Sequence, residues 1–170
     1  MITRSEAIAE LIAEGMPLEL QTVEVHGNPL RVFKNAPDSL RDVWLLAAQH
    51  GDAPYFIYED IVLTYAEAHK QVVSVAAWLT SQGVKKGDKL LIHAENSPEM
   101  MIAWYASAIV GSCAVTTNTR CIGDELTYFA EHSDAVGCIT QPKFIKELSA
   151  NAKSIPWFVV TDDNSGEAPA

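Results

Sequence analysis

The feature that most constrains the fold is a repeated alternation of short apolar segments and helix-like segments from residue 89 onward. Four apolar segments recur roughly every twenty-odd residues, with a helical pattern between each pair: they are residues 89–93, 113–117, 136–140 and 157–161. A tight antiparallel hairpin cannot hold a helix of that length, whereas a parallel crossover can. The alternation predicts an α/β fold of three layers, with a mostly parallel sheet, helices on both faces and right-handed crossovers.

Local signals place the helices between these strands. Thr64 and Glu67 have the spacing of a capping box, and Gly83 suits the left-handed end of the helix that follows. Ser97 followed by Pro98 predicts the start of the next helix, because proline loses nothing at a first-turn position. The sequence therefore predicts helices that start at residues 65 and 98.

The first part of the chain follows a different pattern. Thr3 or Ser5 caps a predicted helix that extends through Glu14. Two β-rich runs, residues 21–25 and 30–33, flank a Gly-Asn-Pro sequence that is typical of a hairpin turn. A helix from Ser39 and a second strand pair around residues 59–60 follow. We expect residues 1–35 to be an extension, 36–161 to be the α/β domain, and 162–170 to be a flexible or truncated end.

Composition narrows the class of partner. The 170 residues predict about one domain, and 22 acidic against 12 basic residues give a net charge of −10. A field of that sign repels nucleic acids and anionic membrane surfaces. The longest apolar stretch, residues 100–115, is shorter than the ~20 residues of a membrane span, and the N-terminus has no secretory pattern. We therefore expect no nucleic acid and no membrane span.

The number and spacing of the cysteines indicate the cellular compartment of the protein. The three cysteines, Cys113, Cys121 and Cys138, are odd in number and do not have the spacing of a zinc site. Each is surrounded by apolar or small residues, which favours buried, reduced thiols in a cytoplasmic protein.

Motifs that carry nucleotide or acyl-transfer chemistry are missing from the sequence. It contains no dinucleotide-binding or P-loop glycine pattern and no nucleophile elbow. The glycine-containing segment 83–88 follows a helix and precedes a strand, which is the wrong end for a phosphate site, and it indicates a helix end plus a turn.

Two residues at strand ends are candidates for a site. His93 ends a predicted strand at the edge where open α/β sheets bind ligands, although a lone histidine at such a position is more often structural. Arg120 could meet an anion, or its loop, with Asn118 and Thr119, could be held by side-chain bonds to backbone. No spaced carboxylate pair suggests acid–base catalysis. We assign no catalytic, cofactor-binding or metal-binding residue.

Three stretches in order resemble the N-terminal region of the adenylate-forming (AMP-binding, acyl-activating) superfamily, which includes acyl-CoA synthetases and acid–CoA ligases. Residues 63–67, Leu-Thr-Tyr-Ala-Glu, lead to Gly-Val-Lys-Lys-Gly-Asp-Lys at 83–89. Residues 96–99, Asn-Ser-Pro-Glu, lead to Ala-Trp-Tyr-Ala at 103–106 and then Gly111. Residues 118–120 precede Asp-Glu-Leu at 124–126 and His-Ser-Asp-Ala at 132–135. The resemblance covers residues 36–161.

The resemblance implies a two-step reaction in the full-length enzyme: a carboxylic acid and ATP give an acyl-adenylate, and coenzyme A then takes the acyl group. ATP, Mg²⁺ and CoA are implied there and none in this fragment, because the family's phosphate loop, aspartate and lysine lie beyond position 170. The chain departs from the family pattern at Ile122 and Gly123, where Thr-Pro is usual. That change removes the expected cap of the helix at residue 124.

Three interpretations remain open from the sequence. The chain is a ligase fragment, inactive without the remainder of its own polypeptide; or a stand-alone module that binds an acyl or nucleotide group; or a homodimer that covers its own sheet edge. The acyl substrate and the final acceptor of the acyl group are not specified by these residues.

Overall fold

The computed structural model describes residues 2–161. The chain forms two compact units, residues 1–39 and the residues from 40 onward. Each unit is built from contacts of its own, and each is therefore considered by itself. The predicted flexible end, residues 162–170, lies outside the described residues.

The first unit contains a helix and a hairpin: α1 (Arg4–Leu11), β1 (Leu20–Val25) and β2 (Asn28–Phe33). Thr3 caps α1 through a reciprocal capping box with Glu6. The helix ends at Leu11, one turn earlier than predicted, and none of its residues is buried. Because a helix without a buried face gains little packing energy, little stabilises it beyond its first two turns.

The first hairpin forms as predicted, but its turn lies earlier in the chain than the predicted Gly-Asn-Pro at residues 27–29. Val25 pairs with Asn28, so the turn consists of His26 and Gly27, and Pro29 lies within β2. Both turn residues have positive φ, at 49° and 77°. A two-residue turn with positive φ at both positions matches the right-handed twist of paired strands. This match favours the His26-Gly27 turn over the predicted Gly-Asn-Pro turn.

The second unit contains the parallel sheet and the elements around it. In chain order, its elements are α2 (Leu40–Ala47), a short 3₁₀ helix (Ala48–His50), β3 (Pro54–Tyr58), β4 (Ile61–Thr64), α3 (Tyr65–Ser81), β5 (Lys89–His93), α4 (Pro98–Val110), β6 (Cys113–Thr116), α5 (Asp124–Ser133), β7 (Ala135–Thr140), α6 (Pro142–Asn151) and β8 (Phe158–Val160). Strands β3 and β4 form a separate antiparallel pair. In residues 2–161, no helix combines the length and apolar character needed to cross a bilayer.

The four predicted strands form one parallel sheet in the order β6-β5-β7-β8. The side chains of β5 alternate between its two faces. Leu90 and Ile92 pack with α3 and α4, whereas Leu91 packs with α5 and α6. The predicted three-layer α/β fold is therefore confirmed, with β5 buried on both sides as a parallel strand requires.

The start of α5 is stabilised by a neighbouring helix. The residue before α5 is Gly123, which supplies no side-chain cap. Its amide donates to the Glu147 carboxylate of α6 at 3.0 Å, and the Thr127 hydroxyl donates to the carbonyl of Asn151 at 2.9 Å. A carboxylate near a helix N-terminus is also favoured by the helix dipole. The tertiary contact thus replaces the hydroxyl cap that the local sequence lacks.

The prediction of buried cysteines is correct for one of the three. Cys138 is buried, Cys121 is half-buried and Cys113 is exposed, and all three are free thiols. Burial raises the pKa of the Cys138 thiol to about 12, so this group stays neutral. Cys113 is the first residue of β6, at the amino end of the sheet.

His93 is a buried histidine that joins three elements. The residue is 2% exposed, and its ring Nδ1 lies 2.8 Å from the hydroxyl oxygen of Thr117 after β6. The ring of Phe144 on α6 contacts it edge-on at 4.8 Å between centroids. The Thr140 hydroxyl donates to the His93 carbonyl at 2.8 Å. Burial lowers the pKa of His93 below its ordinary 6.5, because the cationic form loses its hydration.

Gly137 makes room for an aromatic ring in the core. A methyl group at this position in β7 would overlap the indole ring of Trp157. That indole also contacts Trp78 of α3 edge-on, with 5.6 Å between the ring centroids. The absence of a side chain at position 137 therefore permits the packing of the segment that leads into β8.

We expect Gly137→Ala to lower the free energy of unfolding by about 1–3 kcal/mol, the usual cost of overpacking a core. Urea unfolding at neutral pH measures this value. The double variant Gly137→Ala/Trp157→Phe should lose less than the sum of the two single variants, because the smaller ring relieves the overlap. Unchanged stability in Gly137→Ala would contradict the proposed role of this glycine.

We expect the stability of the chain to fall with acidification through His93. Because its pKa is lowered in the folded chain, the unfolded chain binds more protons between that value and 6.5, so stability rises with pH across this window. His93→Gln should flatten the dependence of the urea midpoint on pH from 5 to 7. The exposed His132, changed to Gln, provides the control and should leave the slope unchanged.

Candidate functional site

The carboxyl ends of the parallel strands define one edge of the sheet, which we call the C-terminal edge. The chain leaves β5 toward β6 on one side, and then crosses to β7 on the other side of β5. In open α/β sheets, such a reversal opens a crevice outside the strand ends, where ligands bind. The candidate site is therefore expected between the ends of β5 and β7.

A cavity of about 330 Å³ lies at this position. The turn between β3 and β4, the first residues of α4 and α6, and the end of β8 surround it. Its lining residues are Tyr58, Glu59, Ile61, Ser97, Pro98, Glu99, Gln141, Pro142, Lys143 and Thr161. The volume falls in the lower part of the range for small-molecule sites.

Two helix N-termini contribute to this cavity. Ser97 caps α4 by accepting from the amide of Met100 at 3.3 Å, and Pro98 follows it. Gln141 precedes α6, but its side-chain oxygen accepts from the Glu95 amide at 2.9 Å instead of capping its own helix. This bond joins the chain after β5 to the chain after β7. The cavity is thus bordered by partial positive charge from two helices.

The side-chain charges in the cavity are mostly acidic. Glu59 and Glu99 line it, together with Lys143. Lys143 forms an ion pair with Glu95, and the side chains of these partners are 52% and 55% exposed. An ion pair of that exposure contributes little stability. A triphosphate would meet two carboxylates and an already paired lysine here, so these residues do not fit ATP.

The contacts of His93 and Arg120 show what each of these two predicted candidates does in the structure. His93 lies at the C-terminal edge, but it is buried and bonded to Thr117, and it is not among the lining residues. In the loop of Arg120, the Asn118 side chain accepts from the Arg120 amide at 3.0 Å, and the Asn118 carbonyl accepts from the Cys121 amide at 3.0 Å. Both observations favour structural roles for these residues.

The segment 83–88 forms a helix end and a turn. Gly83 has a φ of 87° directly after α3. The Lys85 amide donates to the Asp88 carboxylate at 2.7 Å, and the Asp88 amide donates to the Lys85 carbonyl at 3.1 Å. The turn leads into β5 at the amino end of the sheet, so it lies away from the cavity.

Sequence reasoning missed most residues of this cavity. The sequence predicts a strand pair around residues 59–60 and a strand over 136–140, but it gives none of Tyr58, Glu59, Gln141 and Lys143 a role in a site. Their signal is topological: Ser97-Pro98 and Gln141-Pro142 each start a helix soon after a strand of the parallel sheet. The non-glycine residue Glu59, with a φ of 52°, could not be identified from its type. Within residues 2–161, no group of three potential metal ligands occurs.

Comparison with known proteins gives consistent matches. The family model described as AMP-binding enzyme matches residues 44–168. The crotonobetaine/carnitine–CoA ligase of Salmonella typhimurium is 30% identical over 112 residues, which are 62% of this chain and 22% of the ligase. The chain therefore spans about a fifth of the length of the curated relatives it matches.

Solved structures share the fold. The O-succinylbenzoate coenzyme A synthetase of Bacillus subtilis, in complex with AMP, is 28% identical, with a TM-score of 0.64 over 75% of this chain and 33% of the synthetase. The N-terminal domain of FACL13 from Mycobacterium tuberculosis is 20% identical, with a TM-score of 0.69 over 79% of this chain and 38% of that domain. Together with the family match over most of its length, these similarities place the chain in the AMP-binding enzyme family.

Proposed function

We propose that this chain is the N-terminal portion of an ATP-dependent acid–CoA ligase. In the complete enzyme, a carboxylic acid and ATP would give an acyl-adenylate and pyrophosphate, and CoA would then displace AMP to give the thioester. The observation that carries the proposal is the family match over residues 44–168, which extends across the whole parallel sheet. The CoA-ligase names of the relatives support the same reaction class.

We further propose that the 170 residues are inactive on their own. The cavity at the C-terminal edge has an acidic lining and a lysine that is already paired. Transfer of an adenylyl group requires cationic groups that stabilise the negative charge of the phosphates. ATP, Mg²⁺ and CoA would therefore be bound by the longer polypeptide, with this chain as part of its scaffold.

A second candidate is a stand-alone module that binds an acyl or nucleotide group without catalysis. The cavity of about 330 Å³ at the reversal of the strand order favours it, since such crevices bind ligands in other α/β proteins. A module of this kind would bind its ligand saturably and leave it chemically unchanged.

The proposal also covers the domain bounds of the chain, its cellular compartment and the metabolism it would serve. Residues 36–161 would form the ligase subdomain, and residues 1–35 an extension. The free thiols of Cys113, Cys121 and Cys138 support a reducing compartment such as the cytoplasm. The carboxylic acid substrate would connect the longer enzyme to the metabolism of fatty or other organic acids.

We expect the purified 170-residue chain to catalyse no ATP–pyrophosphate exchange above the enzyme-free background with a panel of aliphatic and aromatic acids. The Bacillus subtilis synthetase, with O-succinylbenzoate, serves as the positive control. Equilibrium dialysis with ATP, AMP and the same acids separates the two candidate functions. Exchange above background would contradict the inactive fragment, and saturable binding without exchange would favour the stand-alone module.

A further inference from the structure

The hairpin of β1 and β2 is a sheet of two strands, a size that is marginally stable in water on its own. In the described part of the chain, β2 is the one strand that pairs with β1. The AMP-binding family match begins at residue 44, so the hairpin lies outside it. Each of the two strands therefore has an open edge to which a further strand can be added.

The hydrogen-bond pattern of the hairpin shows which backbone groups of β1 face outward. The Lys34 amide donates to the Glu19 carbonyl at 2.8 Å, and bonded and non-bonded pairs alternate along an antiparallel ladder. With the observed register, the N–H and C=O groups of Leu20, Thr22 and Glu24 point away from β2. Thr22 and Glu24 are exposed. The open edge of β1 thus presents backbone donors and acceptors that a strand can bind.

The open edge of β2 is less suited to pairing. By the same alternation, Pro29, Arg31 and Phe33 face outward there. Pro29 has no N–H to donate, and proline on an edge strand blocks the addition of another strand. Pairing of two copies of β2 about its middle outward residue would also place Arg31 opposite its own counterpart, and like charges directly opposite destabilise a sheet. The edge of β1 is therefore the one available for pairing.

A second copy of β1 is complementary to the first. Antiparallel pairing about Thr22 places this residue opposite its own counterpart and Leu20 opposite Glu24 of the second copy. All three outward residues of each strand then find a backbone partner across a twofold axis, as an isologous dimer requires. Threonine pairs are favourable between neighbouring strands, and this register opposes no two like charges.

The charge of the hairpin permits this contact. Residues 20–33 contain one carboxylate, on Glu24, and one guanidinium, on Arg31. The hairpin therefore has no net charge, although the whole chain carries −10. Exposed charges separated by more than about 8 Å are largely screened at physiological ionic strength, so the remaining acidic groups oppose the contact only weakly.

The pairing would also enlarge an apolar face. Val23 and Val25 of β1 share one face of the hairpin with Leu30 and Val32 of β2. Val25 and Leu30 are 40% and 47% exposed. Four strands with a common apolar face exceed the three that a sheet needs for independent stability.

We propose that the open edge of β1 is a dimerisation surface, at which two copies of this chain join their hairpins in one four-stranded antiparallel sheet of order β2-β1-β1-β2. The contact is symmetric and closes at two copies. The inference goes beyond the proposed function and does not rest on it, because it uses residues that precede the family match.

Amide hydrogen exchange at two protein concentrations tests the edge directly. Between about 10 μM and about 1 mM, exchange at Thr22 and Glu24 should slow by roughly tenfold or more, while the outward amides of Arg31 and Phe33 stay fast. Sedimentation equilibrium should show a molar mass that rises toward twice that of the monomer over the same range. A chain that stays monomeric would overturn the proposal. Protection at Thr22 that does not change with concentration would do so too, because another occupant would then cover the edge.

Charge variants at the proposed twofold axis test the register. Thr22→Lys and Thr22→Glu should each lower the association constant roughly fivefold or more, because each places like charges opposite one another. An equal mixture of the two variants should associate more strongly than either alone, since Lys then faces Glu. Arg31→Glu on the other edge is the control and should leave association near that of the unchanged chain. Failure of the mixture to recover association, or an equal loss in Arg31→Glu, would contradict pairing about Thr22.

Discussion

The burial of β5 on both faces is the constraint on which the parallel sheet depends. A parallel strand between two neighbours satisfies its backbone groups within the sheet, and both of its faces must then be covered. Leu90 and Ile92 are covered by α3 and α4, and Leu91 by α5 and α6. The near-continuous apolar run of β5 follows from this, as does the need for two helices on each side. Other elements are arranged around that strand.

Local signals were sufficient where a few neighbouring residues determine the structure. The capping box of Thr64 and Glu67 and the Ser97-Pro98 pair mark the observed first residues of α3 and α4. The run 89–93 matches β5 without change. Such signals work because caps, proline and alternating burial act within one turn or one strand. The fold class followed from their order along the chain.

The features that were missed depend on contacts between distant residues or on the absence of packing. Glu147 reaches Gly123 from another helix, so no local cap predicts the start of α5. The helix α1 stops early because, in the described part of the chain, none of its own residues is buried. Cys113 has apolar or small neighbours in the sequence, which predicted burial, but its side chain is exposed. The cavity at the C-terminal edge combines a hairpin turn with two helix starts, and only the strand order brings these segments together.

The strand order also has a consequence for synthesis on the ribosome. The central strand β5 is made first, and its two neighbours come later, on opposite sides. His93 and Thr140, whose contact closes β5 against β7, are 47 residues apart in the chain. At translation rates of about 5–20 residues per second, β5 waits for a few seconds with an unpaired apolar edge. During that interval the nascent chain is most exposed to mispairing, and chaperone binding would be most valuable there.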